Sequence, residues 1–204
     1  MDFKIVFIDD NLTEKSSFVQ TIRKHYPQAD YNHVFEDPNE GLQYVLDNLN
    51  SRLLVFIDWN FSAFKQQGID VLKSIREKTS LLYIVMMSAN QLGANSYFPP
   101  EALIYMMNDE HFYYLDRSNK KSEDVFNLID TIQKHWKVDF DCILEQWLVR
   151  HNDKAKESIM VRGNRNITWS DMLSELRNQT DVGKDFERMM NQYYLRVFKD
   201  KSEI

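Results

Sequence analysis

Leu53-Leu54-Val55-Phe56-Ile57-Asp58-Trp59-Asn60 opens as an uninterrupted apolar run that stops at a single carboxylate. A short run without polar alternation fits a strand buried on both faces, as at the centre of a parallel sheet. Ile5-Val6-Phe7-Ile8-Asp9-Asp10-Asn11 repeats the form near the N-terminus and ends in two adjacent acids. In a parallel α/β sheet the C-terminal strand ends share one rim, where loops and helix N-termini converge. Asp9, Asp10 and Asp58 therefore fall on one edge, with Ser88 at the end of a further apolar run. Carboxylates crowded together at neutral pH call for a compensating cation, and an oxygen-only donor set suits Mg²⁺ with retained waters. Asp10, Asp58 and the backbone carbonyl of Asn60 are the expected direct ligands, and Asp58 is the expected nucleophile toward a phosphoryl group. The ordinary alternative is that these acids cap helices and brace loops.

Composition bounds what else the chain does. Its 204 residues allow one large domain or a typical domain plus a small one, and 43% hydrophobic residues supply a core. The formal net charge of -6 is unevenly placed: residues 1–130 hold 12 Lys+Arg against 19 Asp+Glu, and residues 131–204 hold 13 against 12. The first part is acidic and the second nearly neutral. Leu81 to Met87, the longest apolar run, is far shorter than the roughly 20 residues of a membrane span. Met1-Asp2-Phe3-Lys4 leads directly into a strand and not into a signal sequence, so the expected location is cytoplasmic, with no membrane partner. Cys142 is the single cysteine, which excludes an internal disulfide and a thiolate zinc cluster and reads as a small buried hydrophobe.

Short apolar runs alternate with helix-like stretches over roughly the first 130 residues. The strand candidates are Phe3 to Ile8, Tyr31 to Phe35, Leu53 to Ile57, Leu81 to Met87 and Phe112 to Leu115. Between them the spacing predicts helices over Thr13 to His25, Pro38 to Leu49 with Asp37 as N-cap, and Ile69 to Arg76. Asn90 to Asp109 is long for a connection and contains Gly93 and Pro99-Pro100, so a loop and then a helix over Glu101 to Met107 are expected. No glycine or proline occurs between Pro100 and Gly163. Apolar residues from Val125 to Leu148 recur at helical steps, giving one long helix or two meeting near Val138 over about Glu123 to Arg150. Such a connection would pass movement mechanically to the tail. There Thr168 and Asp171 form a capping signal before a short helix with Met172 and Leu176, and Thr180 or Asp181 caps a last helix carrying Phe186, Met190, Tyr193 and Phe198. The fold expected is a doubly wound five-stranded parallel sheet followed by a small all-helical module.

Five elements together resemble the receiver domain of bacterial two-component response regulators, over about residues 3–135. Ile5 to Asn11 is similar to the family's first strand with its acidic pair, and Leu54 to Asn60 to the strand ending in the phosphoacceptor. Gly68-Ile69-Asp70-Val71-Leu72-Lys73-Ser74-Ile75-Arg76 is similar to the third helix, and Ile84-Val85-Met86-Met87-Ser88-Ala89 to the fourth strand with its hydroxyl switch residue. Tyr113-Tyr114-Leu115-Asp116-Arg117 resembles the fifth strand, which in the family ends in an aromatic switch position and then a lysine. The resemblance implies that Asp58 takes a phosphoryl group from a histidine kinase or a small phosphodonor, with Mg²⁺ held by Asp9, Asp10, Asp58 and Asn60. Ser88 would donate to the new phosphoryl oxygen, and Tyr114 would swing toward the space Ser88 vacates. Arg117 stands where the family has lysine and, being longer and fork-shaped, would meet Asp58 or phosphate from another angle.

The implied function is that of a cytoplasmic phosphorelay response regulator, with a receiver at 1–135 and an output or interaction module at 136–204. It would not be an enzyme beyond its own phosphoryl transfer and dephosphorylation. Phe186, Met189, Met190, Tyr193, Tyr194, Val197 and Phe198 form a stripe suited to a core, another protein or a second copy of the chain. The tail also has a helix-turn-helix outline around Asn178-Gln179-Thr180, but Asp181, Asp185 and Glu187 crowd the start of the would-be recognition helix and disfavour nucleic acid. His135 and His151 stand alone and indicate no catalysis. The alternatives are a DNA-binding transcriptional regulator and a receiver-like interaction module that does not use phosphate.

Overall fold

Each of the five apolar runs contributes a strand. The computed structural model describes residues 3–30, 33–88, 98–109, 111–118, 121–137 and 139–201. The strands are β1 (Lys4–Ile8), β2 (Val34–Phe35), β3 (Leu53–Asp58), β4 (Tyr83–Ser88) and β5 (Phe112–Asp116). They form one sheet in the order β2-β1-β3-β4-β5, parallel throughout. The helices α1 (Ser17–His25), α2 (Pro38–Asp47), α3 (Gly68–Arg76), α4 (Pro100–Met107) and α5 (Ser122–His135) alternate with them. Tyr31 and Asn32, expected at the start of β2, and the loop expected within 90–97 lie outside the described residues.

Both faces of the sheet are covered, which is why the strands read as continuous apolar runs. Val6, Ile8, Val55, Ile57, Ile84 and Met86 share one core with Val45 of α2, Val71, Leu72 and Ile75 of α3, and Met106 of α4. Alternate strand positions point the other way. Phe7 and Phe56 stack there at 5.2 Å between centroids, with Phe18 of α1 edge-on to both. The Tyr26 hydroxyl, at the C-cap of α1, donates to the Phe126 carbonyl at 2.9 Å and to Asp130 Oδ1 at 2.8 Å, fastening α1 to α5. Local chemistry sets the helix starts: Asp37 accepts from the Asn39 N–H ahead of Pro38, and Gln67 and Asp70 cap α3 reciprocally. Gly68 is required by packing, since a Cβ there would lie 2.2 Å from the Asp58 carbonyl oxygen. Its absence lets α3 begin directly against the end of β3.

The chain divides into two compact units, Met1–Ile132 and Gln133–Ile204. The predicted helical stretch over 123–150 is two helices: α5 ends at His135 and α6 (Phe140–Arg150) begins after Asp139. Val138, the expected meeting point, lies outside the described residues. A 3₁₀ turn (Asn152–Lys154), β6 (Ser158–Arg162), β7 (Arg165–Thr168), α7 (Trp169–Arg177) and α8 (Asp181–Lys201) complete the second unit. The expected helices are present, but the tail is not helical throughout. β6 and β7 form an antiparallel hairpin that turns at Gly163, whose φ of 61° is easily adopted only without a side chain. Thr168 and Asp171 cap α7 reciprocally as their spacing predicts, and Thr180 accepts from the Gly183 N–H at the start of α8.

Leu144, Leu148, Ile167, Met172, Leu176 and Phe186 make the second unit's core. Arg177 is buried beside it and is held by Asp141 at 3.0 Å and Glu145 at 3.2 Å. Arg165 bonds Glu175 at 2.7 Å, and Thr180 donates to the same carboxylate. Cys142 is buried, as expected of a small hydrophobe, and its thiol donates to Asp141 Oδ2 at 3.6 Å. Beyond Met190 the apolar stripe of α8 continues as Tyr193, Tyr194 and Leu195, which are exposed.

Candidate functional site

Strand register decides which residues meet. Ile8 pairs with Ile57, Asp58 with Met87 and Ser88 with Asp116, so β1, β3, β4 and β5 end at nearly one level. The residue after each end is delivered to the same rim. Asp9 follows β1 and is fully buried, while Asp10 and Asp58 are half-buried. One carboxylate oxygen from each of Asp9, Asp10 and Asp58 lies within 4.8 Å of the others. The three acids singled out in the sequence are thus together in space.

Each acid has its own partners. Asp9 Oδ1 accepts from the Asn11 N–H at 2.8 Å, and its Oδ2 accepts from Arg117 Nη1 at 2.6 Å. Asp10 Oδ1 accepts from Asn11 Nδ2 at 2.6 Å. Its Oδ2 accepts twice from Ser62, from the N–H at 2.7 Å and from the hydroxyl at 2.7 Å. Burial pushes the Asp58 carboxyl up to about 7, helped by the charge of Asp9 and opposed by Arg117 and the Trp59 N–H, with Asp10 adding a smaller upward push. Asp9 is raised as well, chiefly by burial, against the pull of Asn11 and Arg117. Arg117 alone leaves this set of carboxylates under-compensated.

Asp9, Asp10 and Asp58 fit a hard divalent cation on two grounds. Their donors are all oxygen, and a cation at this point would restore the ionised form of Asp58 that burial and Asp9 oppose. Asn60 lies two residues beyond Asp58 on the exposed side of the loop. Ser88 is buried at the end of β4, and its side chain shares a hydrogen bond with Tyr114, whose hydroxyl is shifted upward mainly by burial. Ser88 and Tyr114 are thus engaged with each other, and the expected swing of Tyr114 into the space Ser88 vacates would first break this bond. Phe98 packs against Trp59 at 4.2 Å and edge-on to Tyr114 at 5.6 Å, so three rings connect the residue after Asp58 to the residue bonded to Ser88.

Arg117 sits where its register predicts but makes a different pair from the one anticipated. Its Nη1 bonds Asp9, and its guanidinium lies 5.6 Å from the centroid of the Phe18 ring. Phe18 presents a π face to a cation whose flat shape suits stacking. Ser62, Asn11 and Phe18 were not singled out in the sequence. Asn11 follows the acidic pair and was within reach of an Asx-type reading. Phe18 carried only a core signal, and Ser62 carried none.

No protein-family model and no curated protein matches the chain. Among solved structures it is similar to a response regulator receiver domain protein from Clostridium thermocellum, with 22% identity over 67% of this chain and 98% of that one, at a TM-score of 0.50. It is also similar to a probable two-component system response regulator/GGDEF domain protein, with 16% identity over 65% of this chain and a TM-score of 0.50. The chain spans about half the length of that second protein, 50%. The two likenesses cover 65% and 67% of this chain, and neither identifies the second unit. With its strand order, its doubly wound helices and these neighbours, the chain carries the fold of the response regulator receiver domain.

Proposed function

We propose that the chain is a cytoplasmic response regulator, with a receiver over 1–135 that takes a phosphoryl group on Asp58 and a module over 136–204 that contacts another protein or a second copy of the chain. The observation that carries this reading is the meeting of the Asp9, Asp10 and Asp58 carboxylates within 4.8 Å on the C-terminal rim of a receiver fold. In the proposed step an Asp58 oxygen attacks the phosphorus of a histidine kinase's phosphohistidine, or of a small acyl phosphate. The bond from phosphorus to the donor atom breaks, and its electron pair leaves with the donor. Asp9, Asp10 and Asp58, with the Asn60 carbonyl, would hold Mg²⁺, which supplies charge compensation for the carboxylates and the transferred oxygens. Ser88, at the end of β4, would donate to a phosphoryl oxygen after leaving Tyr114. Arg117 bonds Asp9 through one nitrogen and carries further N–H donors on the same fork. The protein would be a signalling protein and not an enzyme in any wider sense. Among the described residues no helix is long and apolar enough to cross a membrane.

A receiver-like module that does not use phosphate is the second reading, favoured by the Arg117–Asp9 pair, which engages the rim's cation without a phosphoryl group. Nucleic acid is disfavoured because α8 opens with Asp181 and carries exposed Asp185 in its second turn. Incubation with Mg²⁺ and acetyl phosphate, followed by intact mass measurement, separates the first two readings. Addition of one phosphoryl mass to wild type and none to Asp58→Ala supports phosphorylation; an unchanged wild-type mass favours the module without phosphate.

A further inference from the structure

Asp10 is less buried than Asp9, yet among the three acids it carries the most hydrogen bonds from neutral donors. Its two oxygens offer about four lone-pair sites. Three are taken: Oδ1 by Asn11 Nδ2 at 2.6 Å, and Oδ2 by both the N–H and the hydroxyl of Ser62 at 2.7 Å each. Ser62 is 52 positions away in sequence and belongs to the loop between β3 and α3, which no capping or metal motif singles out.

That loop is held from within. Gln67 Oε1 accepts from the Phe61 N–H at 3.0 Å, while its Nε2 donates to the carbonyls of Phe61 at 3.2 Å and Phe64 at 2.9 Å. Phe61 beside Ser62 is 1% exposed and anchors the loop in the core. Gln67 also forms the N-terminal cap of α3. Ser62 is therefore presented to Asp10 by an ordered segment, and most of the entropy of making the contact is already lost when the loop folds.

We propose that Ser62 is a latch on Asp10: its hydroxyl competes with the divalent cation for the carboxylate, so that the rim holds its metal more weakly than the three acids alone would. The proposal rests on the metal reading given above. A hydroxyl donating to a carboxylate withdraws electron density and occupies a lone pair that a hard cation would use. Cation binding through Oδ2 then requires Ser62 to surrender at least part of its hold, and the loop from Phe61 to Gln67 is tied to metal occupancy through that exchange. Ser62 is exposed, so its hydroxyl can turn to water at little cost once Asp10 is taken.

The test is Mn²⁺ binding to the full chain, read as loss of the free-ion signal in electron paramagnetic resonance, with Asp10→Ala as the blank. Mn²⁺ accepts the same oxygen donors and is counted directly. Ser62→Ala is expected to bind about three- to tenfold more tightly than wild type, the equivalent of one modest hydrogen bond. Ser62→Thr, which keeps the hydroxyl, is expected to stay within about twofold of wild type, less than the effect of losing that bond. Equal affinity of wild type and Ser62→Ala, or weaker binding by Ser62→Ala, overturns the latch while leaving the metal site standing. If no variant binds Mn²⁺ above the blank, the metal reading fails and the latch with it.

Discussion

Replacing Asp58 with Asn removes a carboxyl whose ionised form the fold opposes. Asp58 is half-buried, faces Asp9, and titrates at about 7 instead of 3.8. A carboxyl raised in the folded state favours folding while it is protonated and loses that benefit as pH climbs from the unfolded value toward the folded one. The Asp58 contribution to wild-type stability should therefore be full below the unfolded value of 3.8, fall from there up to about pH 7, then level off. The rise from 3.8 to about 7 corresponds to about 4 kcal/mol, an upper bound for a dry and independent group. Partial exposure and coupling to Asp9 reduce this to about 2 kcal/mol. Asp58→Asn cannot ionise, so it should gain about 2 kcal/mol over wild type at pH 8, a clearly smaller amount at pH 5, and almost nothing only below the unfolded value of 3.8. For a unit of this size the gain is a rise in Tm of roughly 5–10 °C at pH 8. Differential scanning calorimetry in chelator-containing buffer reads it, with added Mg²⁺ expected to narrow the gap by stabilising wild type alone. A gain that is equal at both pH values, or larger at pH 5, refutes the reasoning.

Other expectations follow from single contacts. Arg117→Ala strands Asp9, which is 0% exposed, and should cost about 2 kcal/mol at pH 8 by urea denaturation. The cost should fall sharply when Asp9 is already Asn, and an undiminished cost would show that the pair does not matter. Gly68→Ala should lose about 3 kcal/mol, because its Cβ would meet the Asp58 carbonyl oxygen at 2.2 Å and either β3 or α3 must move; a wild-type denaturation midpoint would contradict this. In the second unit Arg177→Ala leaves Asp141 and Glu145 facing an empty buried site and should cost about 3 kcal/mol. Shortening both acids together with Arg177→Met should recover most of that loss in the same denaturation experiment.

The sheet and the acid constellation were legible because each depends on local sequence. Buried parallel strands are short apolar runs, and register then carries Asp9, Asp58 and Ser88 to one rim without further information. Caps were legible for the same reason: Asp37 before Pro38 and Thr168 three residues before Asp171 act within a single turn. The hairpin was not, because Ser158 to Arg162 contains only three apolar residues and only Ile167 of β7 is well buried. Gly163 between two weak apolar runs is the available signal. Arg117 was placed correctly by register, yet its partner was not foreseen. The Asp9 pair spans 108 positions, and nothing within either segment favours Asp9 over Asp58. Ser62 was invisible for a stricter reason: its meeting with Asp10 depends on the path of a loop fixed by Gln67 and Phe61, a tertiary fact with no spacing rule behind it.

The claim that matters most is that Asp58 is the residue that takes the phosphoryl group. Reaction with acetyl phosphate and Mg²⁺, reductive trapping of the acyl phosphate with borohydride, and peptide mass spectrometry would locate the modified residue directly. The account predicts a trapped product at Asp58, lost on chelation of the metal and absent from Asp58→Asn. Trapping at Asp9, Asp10 or another carboxylate, or no trapped product from intact protein in the presence of Mg²⁺, would contradict it.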